Sequence, residues 1–226
     1  MRIADERQGF LYPFLGDQKA EDGAALEEVL REVRSSTRMK CEETIALRRR
    51  VWEDHLHDFE PAGKALADCF AHGGRAFLFG NGGSATDAGD MRCVLVSPPG
   101  AHRPNPAFAL TDDAASITAV GNDVGFEYIF SRQIIALGRA GDVAIGFSTS
   151  GTSRSVVEAL QMAKQMGLLT FAIAGYDGGK CVEMQREGVV DHLFVARSEH
   201  IPRIQEAHAT VYHALCELVW TLQETK

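Results

Sequence analysis

Short apolar runs alternate with helix-length amphipathic stretches over most of the chain. Five runs have strand length and composition: Ala76-Phe77-Leu78-Phe79, Ala107-Phe108-Ala109-Leu110, Val143-Ala144-Ile145-Gly146-Phe147, Leu169-Thr170-Phe171-Ala172-Ile173-Ala174 and His192-Leu193-Phe194-Val195-Ala196. Separated by helix-length connections, they predict an α/β fold with a five-stranded parallel sheet flanked by helices on both faces. From Ala24 to about Ala71 the spacing is helical, with Leu26, Val29, Leu30 and Val33 on one face and Ile45, Leu47, Val51, Leu56 and Phe59 spaced for burial. Pro61 should break or restart that segment. Ile201 to Thr225 carries Ile204, Ala207, Val211, Leu215, Leu218, Val219 and Leu222 at helical spacing and predicts one long amphipathic helix. Ahead of all this, Met1 to Gly23 mixes Gly, Pro and aromatics without a period. The chain therefore reads as an N-terminal arm, 1–23, and a single domain, 24–226, that includes the N-terminal helical extension.

Composition narrows the class without changing the picture. With 226 residues, 45% of them apolar and 24% charged, one well-buried domain is affordable. The net charge of -8 is spread along the chain, and no Lys/Arg run with interleaved aromatics offers a nucleic-acid surface, so direct nucleic-acid binding is not expected. The charged opening, Met1-Arg2-Ile3-Ala4-Asp5-Glu6-Arg7, has no apolar core behind it, and no stretch approaches membrane-spanning length. The expectation is a cytoplasmic protein with no membrane partner. Cys41, Cys69, Cys93, Cys181 and Cys216 lie far apart with no C-x-x-C pair, and read as buried free thiols.

Two small-residue loops carry the candidate chemistry, because doubly wound sheets bind ligands at the carboxyl ends of their strands. Gly80-Asn81-Gly82-Gly83-Ser84 follows the first strand and opens a helix, where missing Cβ atoms let backbone N–H groups approach an anion. Ser148-Thr149-Ser150-Gly151-Thr152-Ser153 follows the third strand and precedes Val156-Val157-Glu158-Ala159-Leu160. Hydroxyls plus a helix N-terminus suit a phosphate. A single hydroxyl suffices to cap a helix, so five hydroxyl residues in six positions exceed what capping requires. Neither loop has the Walker lysine of an NTPase, and Ala85 stands where a dinucleotide fingerprint places its third glycine.

In order, GNGGSATDA, ALTDDAASITAVGNDVGFEYIFSRQ, GDVAIGFSTSGTS, AIAGYDGGK and RIQEAH resemble the sedoheptulose 7-phosphate isomerase (phosphoheptose isomerase) branch of the sugar isomerase (SIS) domain family, over about Arg75 to Glu224. The resemblance implies a five-stranded parallel sheet, a homotetramer packed through helices with sites completed by neighbouring subunits, and aldose–ketose isomerisation of a seven-carbon sugar phosphate. Ser148, Thr149, Ser150 and Ser153 match the family's phosphate loop, and Asn81 and Ser84 match positions facing the sugar. Asp113 matches an active-site aspartate. Gln205 and His213 match a pair whose His moves protons or, in some members, binds zinc. On periodicity alone His213 would read as a core histidine; the motif match makes it functional.

The chain departs from the pattern on the helix after the Gly-rich loop. Where active members place a His and, four residues later, a catalytic Glu, this sequence has Asp90 and Val94. A Val cannot move a proton between adjacent carbons. Zinc, if held, is left with a three-ligand remnant of Asp90, Gln205 and His213. Two readings follow. In one, His213, helped by Asp90 or Asp113, performs proton transfer on a phosphosugar. In the other, the site holds a sugar phosphate without turnover, as a regulatory or scaffold protein like the family's replication-initiator-binding paralogue. Ile201 to Leu222, with Val29, Leu30 and the segment from Met39 to Phe70, also offers more apolar face than one small sheet covers, and self-association is the economical outlet.

Overall fold

The structure is a computed structural model and describes residues 23–224. The arm expected before Ala24 lies outside the described residues apart from Gly23. The described chain comprises two compact units, one ending at Glu42 and the other beginning at Glu43. The first is the leading part of helix α1, Gly23–Asp54, where Leu26, Val29 and Val33 are exposed. The second holds the remainder: α2 (Phe59–Ala71), β1 (Ala76–Gly80), α3 (Gly83–Val96), β2 (Ala107–Ala109), α4 (Ala114–Asp123), a 3-10 turn (Phe126–Tyr128), α5 (Ser131–Leu137), β3 (Val143–Ser148), α6 (Arg154–Gln165), β4 (Leu169–Gly175), α7 (Gly179–Arg186), β5 (His192–Ala196) and α8 (Ile201–Glu224).

All five strands fall where the apolar runs predict them, and every pairing is parallel, in the order β2-β1-β3-β4-β5. Residues of β1 and β3 are buried throughout because helices cover both faces. The two-residue alternation sorts them. Leu78, Ile145, Phe147, Phe171 and Ile173 join one apolar cluster with α2, α3 and α8. Phe77, Phe79, Ala144 and Ala172 join the other with α5, α6 and α7. Truncating a fully buried ring such as Phe147 to Ala is expected to cost about 3–5 kcal/mol.

The N-terminal helical segment behaves differently from its pattern. Leu47, Val51 and Phe59 are buried as expected, but Ile45 and Leu56 stay exposed. Only one face of this segment meets the sheet-covering layer, so the apolar residues that point elsewhere remain uncovered. The helix also breaks before Pro61. Turns occupy residues 55–58, and Pro61 stands in the first turn of α2, where its missing N–H leaves no bond unmade. The cysteines are all free, but only Cys181 and Cys216 are buried. Cys41 and Cys93 are exposed and Cys69 is half-buried, because helical faces rather than residue type decide their placement.

Candidate active site at the sheet switch point

From β1 the chain crosses to β2 on one side and from there to β3 on the other, so the strand order reverses at the β1–β3 junction. Their carboxyl ends are neighbours, with Gly80 opposite Phe147. The Gly-rich loop and the hydroxyl-rich loop are thereby brought side by side at the topological switch point, where open α/β sheets bind ligands. Asn81 ties them together, its amide donating to Ser155 Oγ at 2.9 Å.

Within the hydroxyl loop, Ser148 donates to Ser153 Oγ at 3.2 Å and lies 3.5 Å from Ser150 Oγ. The Thr152 N–H and hydroxyl both donate to Ser150 Oγ, at 3.2 and 3.0 Å. Ser153 occupies the N-cap of α6, yet its side chain makes no capping bond. The hydroxyls therefore engage one another across the loop, and the first N–H groups of α6 are left open to an anion. The loop is pinned from behind. Gly151 has φ +65°, and a Cβ there would overlap the Gly178 carbonyl. Its own carbonyl accepts from the Cys181 N–H at 3.2 Å and thiol at 3.4 Å. Burial pushes that thiol up to about 11, keeping it a donor.

The Gly-rich loop is shaped by contacts a side chain would block. Gly82 has φ +56°, and a Cβ on Gly83 would overlap the Gln205 carboxamide. Gln205 thus lies flush on the loop, and α8 is drawn alongside α3. Ser84 is buried at the helix start. Further along the same two helices, His208 Nδ1 faces Asp87 Oδ2 at 3.7 Å, and the Tyr212 hydroxyl donates to Asp90 Oδ2 at 3.3 Å. His208 is fully buried, and its Nε2 donates to the Ala174 carbonyl at the end of β4, 3.0 Å away.

Other expected residues are placed as follows. His213 is exposed, with its ring 4.7 Å from that of Tyr212. The core histidine that periodicity suggests at 213 is His208 instead, five residues earlier and on the buried face. Asp113 is exposed and caps α4, accepting from the Ser116 N–H at 3.1 Å and hydroxyl at 2.6 Å. The Ser116 side chain, then its backbone, hold the Asp113 carboxyl below its usual range. Asp90 is exposed, and Val94, one turn on, packs partly buried against the apolar cluster. Among the described residues no three His, Cys, Asp or Glu side chains gather as a metal site.

Sequence reasoning gave no role to Asp87, His208 or Tyr212, although the heptad-like spacing 205, 208 and 212 marks one face of α8. It also passed over a cleft of about 610 Å³ beside Ser150, lined by Tyr176, Asp177, Arg197, Ser198 and Glu199. Tyr176 has φ +50°, a left-handed conformation uncommon for an aromatic residue.

A parallel α/β protein whose switch point presents a hydroxyl cradle at one strand end and a glycine loop at the next belongs to the class that binds small anionic metabolites. Residues 41–175 match the SIS domain family. The chain is 39% identical over 189 residues to a phosphoheptose isomerase of Thermodesulfovibrio yellowstonii, covering 83% of this chain and 92% of the relative. It is 47% identical over 162 residues to that of Paramagnetospirillum magneticum, covering 71% and 82%. The solved structure of phosphoheptose isomerase GmhA from Neisseria gonorrhoeae superposes with a TM-score of 0.76 at 33% identity, covering 83% of this chain and 98% of that one. The protein belongs to the SIS-domain family, in its phosphoheptose isomerase branch.

Proposed function

We propose that this protein is a phosphosugar isomerase of the sedoheptulose 7-phosphate type. The observation that carries the reading is the meeting of the two loops at the switch point, with Gln205 of α8 laid on Gly83. Ser148, Thr149, Ser150 and Ser153, with the open N-terminus of α6, would hold the phosphate. Asn81, Ser84 and Gln205 would face the sugar. In the reaction a proton leaves the carbon beside the carbonyl, an enediol forms, and the proton returns to the neighbouring carbon. His213 is the first proton-transfer group in this reading, helped by Asp90 on α3 or by Asp113 at the start of α4.

Zinc does not fit the residues present. Of the expected set His213 is a suitable ligand, but Asp90 is engaged by Tyr212, Gln205 offers only a carboxamide and Val94 offers nothing, and among the described residues no three His, Cys, Asp or Glu side chains gather as a zinc site requires. Incubation with sedoheptulose 7-phosphate in deuterated water tests the reading. Deuterium should enter the product at the exchanging carbon, at the same rate with and without a chelator. Tight phosphosugar binding with no deuterium incorporation for any ketose phosphate would mean a site that holds sugar phosphate without turning it over.

The functional assembly in this reading is a homotetramer in the cytoplasm. Supporting it, Leu26, Val29, Leu30 and Val33 form an uncovered helical stripe, and Trp52 and Leu56 are likewise exposed. No described helix is long and apolar enough to cross a membrane.

A further inference from the structure

Helices α3 and α8 leave the strand ends together and meet along three polar rungs. Gln205 lies over Gly83, His208 faces Asp87, and Tyr212 reaches Asp90. Positions 83, 87 and 90 share one face of α3, as 205, 208 and 212 share one face of α8, so the rungs follow from helical spacing. Asp90 is the last polar rung. Beyond it Met91 and Leu95 are fully buried, and Val94 packs into the apolar cluster. It stands about 10 Å along the helix from Gly83, and one turn nearer the glycine loop than Val94.

The third rung joins a buried group to an exposed one. The Tyr212 ring is 2% exposed, set edge-on to Phe147 at 6.2 Å and against His213 at 4.7 Å. A phenylalanine would satisfy that packing, so the hydroxyl is needed only for the bond it makes. Burial pushes the phenol well above its usual value, and Asp90, Asp87 and Cys216 add to the effect. Tyr212 therefore keeps its proton and acts only as a donor toward Asp90. The same ring supports His213, so both proton-transfer groups of the proposed reaction rest on one buried side chain.

We propose that Tyr212 is a positioning residue, whose hydroxyl holds the Asp90 carboxylate in the α3–α8 groove so that Asp90 carries the carbon-to-carbon proton transfer for which Val94 offers no group. The proposal rests on the isomerase reading. The Asp90 carboxylate takes the proton from C1 of the ketose, the C–H electron pair becomes the enediol double bond, and the resulting carboxylic acid returns the proton to C2. His213 moves the hydroxyl proton from the C1 oxygen to the C2 oxygen, so that the C2 carbonyl becomes a hydroxyl and the C1 hydroxyl becomes the aldehyde with no net gain or loss of protons.

Deuterium exchange and steady-state rates with sedoheptulose 7-phosphate, measured for the unmodified protein, Asp90→Asn, Tyr212→Phe and the double variant, test this. Tyr212→Phe should lower kcat about tenfold with KM within about twofold. Asp90→Asn should lose about a hundredfold or more, and the double variant should be no worse than Asp90→Asn. Asp90 is exposed, so its variant reports even if Tyr212→Phe folds poorly. Wild-type kcat in Tyr212→Phe, or wild-type exchange in Asp90→Asn, would overturn the proposal while leaving the isomerase reading in place. No exchange by the unmodified protein would overturn that reading and this proposal with it.

Discussion

Ser153 stands at a helix N-cap, where a hydroxyl ordinarily turns back to the first turn, but here Ser148 donates to it and it makes no capping bond. That leaves its hydroxyl uncommitted to the helix, as the proposed phosphate contact requires. Ser153→Ala should leave the melting temperature nearly unchanged and weaken phosphosugar binding about 10- to 100-fold, read by titration calorimetry, since hydrogen bonds to charged groups contribute about 1.5–3 kcal/mol. Gly83 makes the opposite case, a residue that matters for what it lacks. Gly83→Ala must displace Gln205, and KM should rise more than kcat falls, because the amide proposed to face the sugar is moved while the proposed proton-transfer groups stay. His213→Ala should lower deuterium incorporation to about 1% of wild type or less while retaining binding. At this scale the hydroxyl loop, Asn81, Gln205 and His213 were legible as motif matches. Asp87, His208 and Tyr212 were not, because a lone polar residue on an apolar helix face gives no sign of what lies opposite.

Between elements, the turn joining α1 and α2 is fastened to the edge strand by one imidazole. His55 Nε2 accepts from the Val195 N–H at 2.9 Å while Nδ1 donates to Asp58 at 2.8 Å, and Phe194 packs against the ring. His55→Ala leaves a buried N–H without a partner and should cost about 1–3 kcal/mol, seen as a lower urea midpoint. The α6–β4–β5 corner is fastened by Asp191, which accepts from Lys164 at 2.5 Å and from the Thr170 N–H and hydroxyl at 3.0 and 2.9 Å. Desolvation raises the Asp191 carboxyl, but the bonds from Lys164 and Thr170 outweigh it and leave it below its usual value. The folded state then binds fewer protons than the unfolded one near the ordinary carboxylate range. Its contribution is therefore present above about pH 4 and lost as pH falls through the depressed value. Urea midpoints of wild type and Asp191→Asn should differ at pH 6 and converge toward pH 3. The helix break before Pro61 was visible in the sequence only as a proline. The turn at 55–58 that actually ends α1 is set by His55 reaching strand β5, a contact 140 residues distant.

For the whole molecule, the uncovered stripe on α1 argues for association. Val29→Glu with Val33→Glu should shift the species seen by light scattering from about four times 24.6 kDa toward smaller masses, with little loss of secondary structure. The apolar periodicity by itself determined the five strands, their parallel arrangement and the long last helix. A parallel sheet buried on both faces needs continuous apolar runs, and a covering helix needs an amphipathic stripe, so both are written locally. Local patterning also marked the two loops, because a helix entrance rich in glycine or hydroxyls is a feature of consecutive residues. Only the tertiary structure decided that these loops are neighbours, since that follows from the strand order reversing between β1 and β3. It alone decided which apolar residues of α1 stay uncovered, and that Tyr212, rather than a residue beside Val94 in sequence, reaches the carboxylate one turn away. Such pairings depend on how two helices lie against each other, and no spacing within either helix encodes that.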